Sequence, residues 1–366
     1  MRRLLVAGVT GRVFPGGVAS VSCVEAGTPE VELSLEQAAG SLGPDADTPT
    51  KPDTLYDLAA ITQVYVGASA MRMAGRGELD LSATLESLLP DLRGGAMGAA
   101  TLWELLAHRG GVAYWGGLYL DVPHELGSPA ARRWILNEAA RRPGDTPRGI
   151  PEWSDLGYLL AGEAIARVAG KGLEEVVKTE VVVPLGLEGA TLYPGSLPSE
   201  RRSLLSRRVA PTERCPWRGR LVRGDVHDEN AAALGGVAGH AGLFATAAAV
   251  AAFGRAVLDS LHDRSDFLPR QTLSDAVAER SAGVPLPFGW RARDVAVCGR
   301  RIGPGAFGMN GVTGTSLWCD PDRDVVLTLL TNRISPSRAN QRIDFYRPAF
   351  HDGVLAALGG ASVAAR

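Results

Sequence analysis

Lysine is almost absent from this chain. Of the 38 basic residues in its 366 positions only three are lysines, Lys51, Lys171 and Lys178. Few lysines are therefore available to take over a catalytic role from another residue. The net charge is −2, which argues against the basic surface of a nucleic-acid-binding protein. We expect no nucleic-acid partner.

Cysteine and long apolar runs are scarce as well. The four cysteines, at positions 23, 215, 298 and 319, form no C-x-x-C pair, so neither a zinc site nor a disulfide framework is predicted. The opening MRRLLVAGVTGRVF has only six apolar residues after its arginines, too few for a secretory signal, and no later run is long enough to span a membrane. We expect a cytoplasmic protein with no membrane partner, no metal and no cofactor.

The composition is that of an ordinary globular protein, with 45% hydrophobic and 21% charged residues. A chain of this length can bury a large core, as one domain or as two lobes. The patterns place strands near both ends and helices between them. Strands are predicted at 14–24, 31–33, 296–319 and 325–331. Helices are predicted from about 60 to 75, at 79–92, 101–108 and 346–358, and within 122–175.

Residues 54–65, TLYDLAAITQVY, contain the first of three motifs. The motif resembles D-L-A-S-x-T-K of the serine β-lactamase, penicillin-binding protein and class C-type esterase superfamily. The resemblance implies that Ala60 stands where that superfamily has its nucleophilic serine, and Gln63 where it has the catalytic lysine. An alanine offers no nucleophile, and an amide is not a useful base at neutral pH.

Two further motifs resemble those of the same superfamily. WSDLGYLLAG (153–162) is similar to Y-S-N-x-G-Y-x-L-L-G, with Trp153 in place of the basic tyrosine and Asp155 in place of the asparagine. MNGVTG (309–314) is similar to [KH]-[TS]-G, with Met309 in place of the histidine or lysine and Asn310 after it. Residues 226–246 resemble a signature of the esterase-like class C branch.

The resemblance covers nearly the whole chain and implies an α/β fold. An antiparallel sheet built from both termini is expected to be flanked by helices, with an all-α lobe inserted. The expected boundaries are 1–66 and 235–366 for the α/β sandwich and 67–234 for the mostly helical lobe. The active-site cleft is expected to lie between the two.

The motif positions also predict what remains of the chemistry. With no activated nucleophile, acyl-enzyme hydrolysis is not expected. The backbone N–H groups of Ala60 and Val312 correspond to the superfamily's oxyanion hole, which does not depend on side chains. Asp155 is expected to be a carboxylate with few partners, and burial in an apolar cleft is expected to raise its pKa. The residues predicted to bind a substrate are Gln63, Tyr65, Trp153, Met309 and Asn310.

Two functions are compatible with these residues. One is an enzyme of specialised metabolism that binds a largely apolar small molecule and catalyses a cyclisation, an isomerisation or a proton transfer without a covalent intermediate. The other is a pseudoenzyme that binds a ligand or a protein, with Trp153 and Met309 as core filler. Asp155 is as readily interpreted as a turn-capping residue. The sequence does not predict an oligomeric state.

The histidines are expected to be structural. His108 lies in a helical segment. His227, Asp228, Glu229 and His240 fit no zinc spacing and are expected to fix a loop.

Overall fold

The computed structural model describes residues 1–25, 28–43, 47–92 and 95–364. Its strands are β1 Gly16–Glu25, β2 Thr28–Gly40, β3 Tyr56–Asp57, β4 Thr191–Leu192, β5 Arg214–Cys215, β6 Arg220–Leu221, β7 Phe244–Ala245, β8 Arg291–Ala292, β9 Phe307–Gly311, β10 Thr315–Asp320 and β11 Val325–Thr331. Its helices are α1 Arg2–Thr10, α2 Thr62–Gly75, α3 Leu85–Leu88, α4 Leu102–Leu106, α5 Pro129–Ala140, α6 Asp155–Ala169, α7 Leu173–Val177, α8 Ser199–Leu205, α9 Glu229–Ala233, α10 Ala247–Leu261, α11 Arg270–Ala276, α12 Val295–Cys298 and α13 Ile343–Ala364.

The main sheet has six strands in the order β2-β1-β11-β10-β9-β8, and every neighbouring pair is antiparallel. It joins the two ends of the chain, since Gly17 of β1 pairs with Thr331 of β11. Strand β11, VVLTLLT, is buried along its whole length because it lies in the middle of the sheet. The predicted α/β architecture, an antiparallel sheet flanked by helices, is confirmed. The predicted domain boundaries stay a prediction.

Both faces of the sheet are covered, and alternate residues of each strand point to opposite cores. Val326 belongs to the large core that contains α2 and α10, whereas its neighbour Leu327 belongs to a smaller core. The smaller core includes Leu5 of α1 and Phe350 of α13. The two terminal helices and the segment around α12 therefore cover one face of the sheet, and α2 and α10 lie on the other.

Helix α2 runs through the large core and is buried on all sides over most of its length. Its Gly67 packs directly on the backbone of the turn at 287–289, since a Cβ built at Gly67 would lie 2.2 Å from the carbonyl oxygen of Phe288. The helix ends at Gly75, as predicted. A helix this enclosed holds the residues at its first turn in fixed positions.

Local signals predicted some helices and missed others. Helix α4 begins with the predicted capping box, in which the Thr101 side chain and the backbone N–H of Glu104 are 3.2 Å apart. The predicted helix at 79–92 is wrong in extent: only Leu85–Leu88 is α-helical, and Pro90 begins a 3-10 turn. Helix α1 was not predicted. Within the described residues, no helix is both long and apolar enough to cross a bilayer.

Candidate functional site

The site is built around the turn that leads into α2. Ala59 has a φ of 48°, a left-handed conformation that is strained for any residue with a Cβ. The buried carboxylate of Asp57 holds this turn, because it accepts a hydrogen bond from the Ala59 N–H at 2.9 Å and another from the His227 N–H at 2.6 Å. Ala60 follows in a 3-10 turn, so its position is fixed by its neighbours on both sides.

The turn between β9 and β10 is attached to the same segment by two buried hydroxyl groups. Thr313 Oγ1 donates to the carbonyl oxygen of Asp57 at 2.7 Å, and Thr315 Oγ1 donates to that of Leu58 at 3.1 Å. Val312, at the tip of this turn, therefore lies beside Ala60, and both line one cavity. The first and third sequence motifs meet as the resemblance implied.

The second motif forms the start of α6. Ser154 is the N-cap: its Oγ accepts from the Gly157 N–H at 2.9 Å. Asp155 is the first residue of the helix, and its Oδ1 accepts two hydrogen bonds, from Gln63 Nε2 at 2.8 Å and from Trp153 Nε1 at 3.2 Å. Its second oxygen, Oδ2, makes no hydrogen bond to the described part of the chain. The expectation that this carboxylate has few partners is therefore wrong for one of its oxygens.

Trp153 is held from behind by a stacked histidine. The rings of His108 and Trp153 lie 4.0 Å apart at 26°. The imidazole Nδ1 accepts from the Ser154 N–H at 3.0 Å, and burial lowers the pKa of His108 to about 3. A neutral, buried ring in this position supports the indole, which agrees with the structural role expected for His108.

The cavity between these segments has a volume of about 530 Å³. Ala59, Ala60, Trp153, Met309 and Val312 give it an apolar wall. The rest of the lining includes charged side chains, so the prediction of a largely apolar cleft is wrong for that part of the cavity. Seven lining residues have acidic or basic side chains: Asp155, His227, Asp228, Glu229, His240, Arg291 and Arg338.

The pKa of Asp155 is raised to about 6, mainly by burial and also by the nearby carboxylate of Asp228. The positive charge of His240 and the hydrogen bonds from Trp153 and Gln63 act in the opposite direction. Asp155 thus exchanges its proton close to neutral pH, the range in which a carboxyl group works best as an acid or base.

His240 forms a close pair with Asp228. Its Nε2 lies 2.9 Å from Asp228 Oδ1, and the ring is buried. Burial disfavours a charged imidazole, but the carboxylates of Asp228 and Asp155 outweigh this effect and raise the pKa of His240. Conversely, Asp228 is buried, yet His240 holds the pKa of its carboxyl group well below the usual range. Each residue therefore favours the charged form of the other.

A second charged cluster lies next to this pair. The guanidinium of Arg338 bonds the carboxylates of Glu213 and Glu229, and His227 Nε2 lies 3.3 Å from Glu213 Oε1. Glu213, Cys215 and Glu229 also bring ligand-type atoms within 4.8 Å of one another, as a metal site requires. Because Arg338 already bonds both carboxylates, we assign the cluster to fixing the loop before α9.

Two residues predicted to bind a substrate do not reach the cavity. Gln63 is fully buried behind Asp155 and contacts that carboxylate instead. Tyr65 is fully buried in the core and stacks on Phe253 with the ring centroids 4.1 Å apart. Two residues further along a helix a side chain points about 200° away, so Tyr65 lies on the opposite side of α2. The prediction for Tyr65 is wrong.

The other predicted site residues line the cavity: Ala60, Trp153, Asp155, Met309, Asn310 and Val312. Asn310 is anchored by Trp318, whose Nε1 donates to Asn310 Oδ1 at 3.1 Å. The structure thus brings all three motifs to one cavity.

Residues 2–349 match the family described as beta-lactamase. This chain belongs to the beta-lactamase family. It is 28% identical over 335 residues to Esterase EstB of Burkholderia gladioli, which covers 82% of this chain and 83% of the esterase. It is also 28% identical over 311 residues to an N-acetylmuramyl-L-alanine amidase of Bacillus subtilis (strain 168), which covers 77% of this chain and 69% of the amidase.

Solved structures give the same fold. The structure of SurE superimposes with a TM-score of 0.68 at 24% identity and covers 94% of this chain and 73% of SurE. A class C beta-lactamase from Rhodobacter sphaeroides superimposes with a TM-score of 0.67 at 18% identity and covers 95% of this chain and 98% of that enzyme. These similarities confirm the β-lactamase-like fold.

Sequence reasoning missed several residues of this beta-lactamase-family cavity. Tyr114 and Trp115 line it from a loop without a motif, and Arg291 lines it from β8. His240 and Asp228 were noted in the 226–246 signature but were assigned to loop fixing. Helix α9 and a loop separate the two residues, so no local periodic pattern indicates that the two side chains pair.

Proposed function

We propose that this member of the beta-lactamase family binds a small molecule in the cavity and transfers protons on it without forming an acyl-enzyme. The reaction class is an isomerisation, a cyclisation or a simple proton transfer. The setting we propose is specialised metabolism, and a gene neighbourhood rich in biosynthetic enzymes would support it.

The observation that carries the proposal is the geometry of Asp155. One carboxylate oxygen is fixed by Gln63 and Trp153, while the side chain lines the cavity and its other oxygen has no hydrogen-bond partner among the described residues. A base must be held in place and must have a free lone pair directed at its substrate. The pKa of about 6 means that most Asp155 side chains are ionised at neutral pH and can accept a proton.

The proposal also rests on the nucleophiles that the cavity does not offer. Ala60 has a methyl group at the place that the family motif gives to serine. Among the described residues that line the cavity there is no serine, threonine, cysteine or lysine. Tyr114 has a hydroxyl group, but burial raises its pKa and so disfavours the phenolate. We therefore assign no covalent role to the protein.

The backbone supplies the complementary group. The N–H groups of Ala60 and Val312 belong to two turns that the Thr313 and Thr315 hydroxyls tie together. Donors fixed in this way stabilise an oxygen that gains negative charge during a reaction. A carbonyl compound with an acidic C–H bond suits this arrangement, because Asp155 removes the proton and the two N–H groups hold the developing enolate.

The apolar lining residues indicate that the part of the substrate away from its reacting end is apolar. Trp153, Met309 and Val312 line the cavity together with Ala60. A planar or aliphatic body would pack there, and its reacting end would face Asp155. We propose a substrate that is largely apolar with one polar end, in agreement with the two unlike walls.

The test uses 5-nitro-1,2-benzisoxazole, a neutral bicyclic compound that opens to a cyanophenol once a base removes its C–H proton. We expect a turnover rate that rises with pH around a midpoint near 6, where Asp155 loses its proton. Asp155→Asn is expected to lower the rate about 10²–10⁴-fold. Asp121→Asn, which changes an exposed acid outside the cavity, is the matched control.

An equal rate in the wild type and Asp155→Asn would contradict the assignment. That result would favour the alternative in which the cavity only binds a ligand, with Asp155 fixing Trp153 and Gln63.

A further inference from the structure

His240 has one nitrogen with a partner and one without. Nε2 contacts Asp228 Oδ1 at 2.9 Å, while Nδ1 is buried and has no hydrogen-bond partner in the described part of the chain. The side chain is only 2% exposed, yet it lines the cavity. A buried donor with no hydrogen-bond partner costs free energy, and a bound molecule that accepts a hydrogen bond from Nδ1 would offset that cost.

Asp228 is rigidly placed for its part in the pair. It is the N-cap of α9, and its Oδ1 accepts a hydrogen bond from the Ala231 N–H at 2.7 Å as well as contacting His240. A carboxylate in this position orients the imidazole ring and stabilises its protonated form. The unpartnered Nδ1 then carries a proton on a residue that lines the cavity.

The charged surroundings of His240 come from several elements. They are Asp155 at the start of α6, His227 and Asp228 before α9, Glu229 at its first residue, Arg291 on β8, and Arg338 before α13. Glu229 is paired with Arg338, and the carboxylates that raise the pKa of His240 are those of Asp228 and Asp155. Both carboxylates favour the imidazolium.

We propose that the Asp228–His240 pair is the acid of this site, which delivers a proton from His240 Nδ1 to the substrate while Asp155 removes one. This inference rests on the proposed function, in which Asp155 removes a proton, and adds the group that donates a proton. Asp155 gains a proton from one substrate atom, His240 loses a proton to another, and the product is an isomer of the substrate. Exchange with water then returns the extra proton from Asp155 and restores that of His240.

This assignment narrows the substrate class. A base alone is enough for catalysis when the substrate itself stabilises the electron pair of the bond that loses its proton. An acid is also needed when that electron pair moves to a poor leaving group or to a basic oxygen or nitrogen. The site therefore suits tautomerisations and ring openings or closures in which a heteroatom must be protonated as a C–H or X–H bond breaks.

Two benzisoxazoles separate the roles of the acid and the base. In both compounds Asp155 takes the C–H proton, the N–O bond breaks, and the oxygen leaves with the electron pair as a phenolate. The nitro group stabilises this phenolate in the 5-nitro compound, whereas the unsubstituted compound releases a more basic oxygen that benefits from the proton of His240.

His240→Gln keeps an amide donor for Asp228 and removes the transferable proton. We expect its rate loss to be roughly tenfold or more greater with the unsubstituted compound than with the nitro compound. Asp228→Asn is expected to show the same selective loss. His124→Gln, at an exposed histidine outside the cavity, is the matched control. Equal losses with both compounds would overturn the assignment of His240 while Asp155-dependent turnover still supports the proposed function.

A second measurement does not depend on turnover. Nitrogen-15 NMR of the imidazole rings, assigned with His240→Gln, is expected to show His240 doubly protonated at pH 7. In Asp228→Asn the same ring is expected to be neutral at that pH. A neutral His240 ring in the wild type at pH 7 would overturn the proposal whatever the benzisoxazole rates are.

Discussion

Asp155 combines a chemical role with a thermodynamic cost. Its carboxyl group is partly buried, and burial disfavours its charged form more than the hydrogen bonds from Gln63 and Trp153 favour it. The unfolded chain has no such burial, so an unfolded aspartate titrates near pH 4. Folding therefore requires energy to keep Asp155 ionised at neutral pH, and that energy is what makes the carboxylate a better base.

The stability of Asp155→Asn is expected to depend on pH. The folded pKa of about 6 lies above the unfolded value, so the protonated group favours the folded state below about pH 4 and this contribution is lost as pH rises through 6. The neutral amide of Asn avoids that loss. We expect the variant to be more stable than the wild type at pH 8 by on the order of 1–3 kcal/mol, and little changed at pH 4.

Urea unfolding at the two pH values measures this difference. A gain of the same size at pH 4 and pH 8 would show that the ionisation of Asp155 is not its cause.

The methyl side chain of Ala60 leads to a separate prediction about covalent inhibitors. Since the described cavity lining has no activated nucleophile, the protein is expected to form no covalent adduct with a penicillin or with a phosphonate serine probe. Intact-mass spectrometry after incubation measures this directly, with a class C beta-lactamase as the positive control. A stoichiometric mass increase that maps to this cavity would contradict the proposed loss of acyl-enzyme chemistry.

At the scale of elements, the three motif segments form the cavity together. Restoring the family residues in one segment alone is therefore not expected to restore esterase activity. Restoring the family residues with Ala60→Ser and Gln63→Lys is expected to leave esterase activity on p-nitrophenyl butyrate near background. The Gln63 amide lies 2.8 Å from Asp155, so a lysine there would pair with that carboxylate and stay protonated. The N–H of Trp153 supplies no base in place of the family's tyrosine.

The matched variant adds Trp153→Tyr and Asp155→Asn to the same two changes. It removes the competing carboxylate and restores the tyrosine, and it is expected to exceed the double variant in rate. Efficient turnover by the double variant alone would show that the role given to position 153 is wrong.

The contact between α2 and the turn at 287–289 makes a prediction about stability. Replacing a helical glycine by alanine usually stabilises a protein by up to about 1 kcal/mol. At Gly67 the added Cβ would lie 2.2 Å from the Phe288 carbonyl oxygen, so Gly67→Ala is expected to destabilise the fold by about 1–3 kcal/mol. Gly359→Ala in α13, where the Cβ meets nothing within 4 Å, is the control and is expected to be neutral or stabilising.

Thermal unfolding measures the stability of each of the two variants relative to the wild type. Equal effects would contradict the close approach of α2 to the turn.

The same elements show why the sequence predicted some features and not others. The capping box of α4 and the strand β11 are encoded locally, by Thr101 with Glu104 and by an unbroken β-branched and leucine run. Helix α1 depends on distant contacts: its Gly8 packs against Phe14 and Tyr346. Its short apolar run was weighed only as a possible leader segment, so the helix was missed.

The candidate site divides in the same way. The three motifs predicted that Ala60, Asp155 and Val312 would meet, because each stands in a frame that resembles the family's. The His240–Asp228 pair was missed, because a pair within an irregular loop leaves no period in the sequence. Tyr65 is close to Ala60 and Gln63 in sequence, but its side chain points to the opposite side of α2 and lies in the core, so its predicted role is wrong.

At the scale of the whole molecule, the cavity depends on the main sheet. Strand β9 and the turn after it carry Met309, Asn310 and Val312, and β8 carries Arg291. The sheet is clamped between the large core and the smaller core of α1 and α13. The third motif is therefore supported by the packing of the sheet as well as by the Thr313 and Thr315 hydrogen bonds.

The pairing of β1 with β11 also bears on how the protein is made. Gly17 and Thr331 are adjacent in the sheet, yet more than three hundred residues separate them. When the first three hundred residues have left the ribosome, β1 is paired with β2 alone and its other edge still lacks a partner. Such an edge is prone to associate with other chains. We therefore expect the nascent chain to need protection at this edge until β11 pairs with β1.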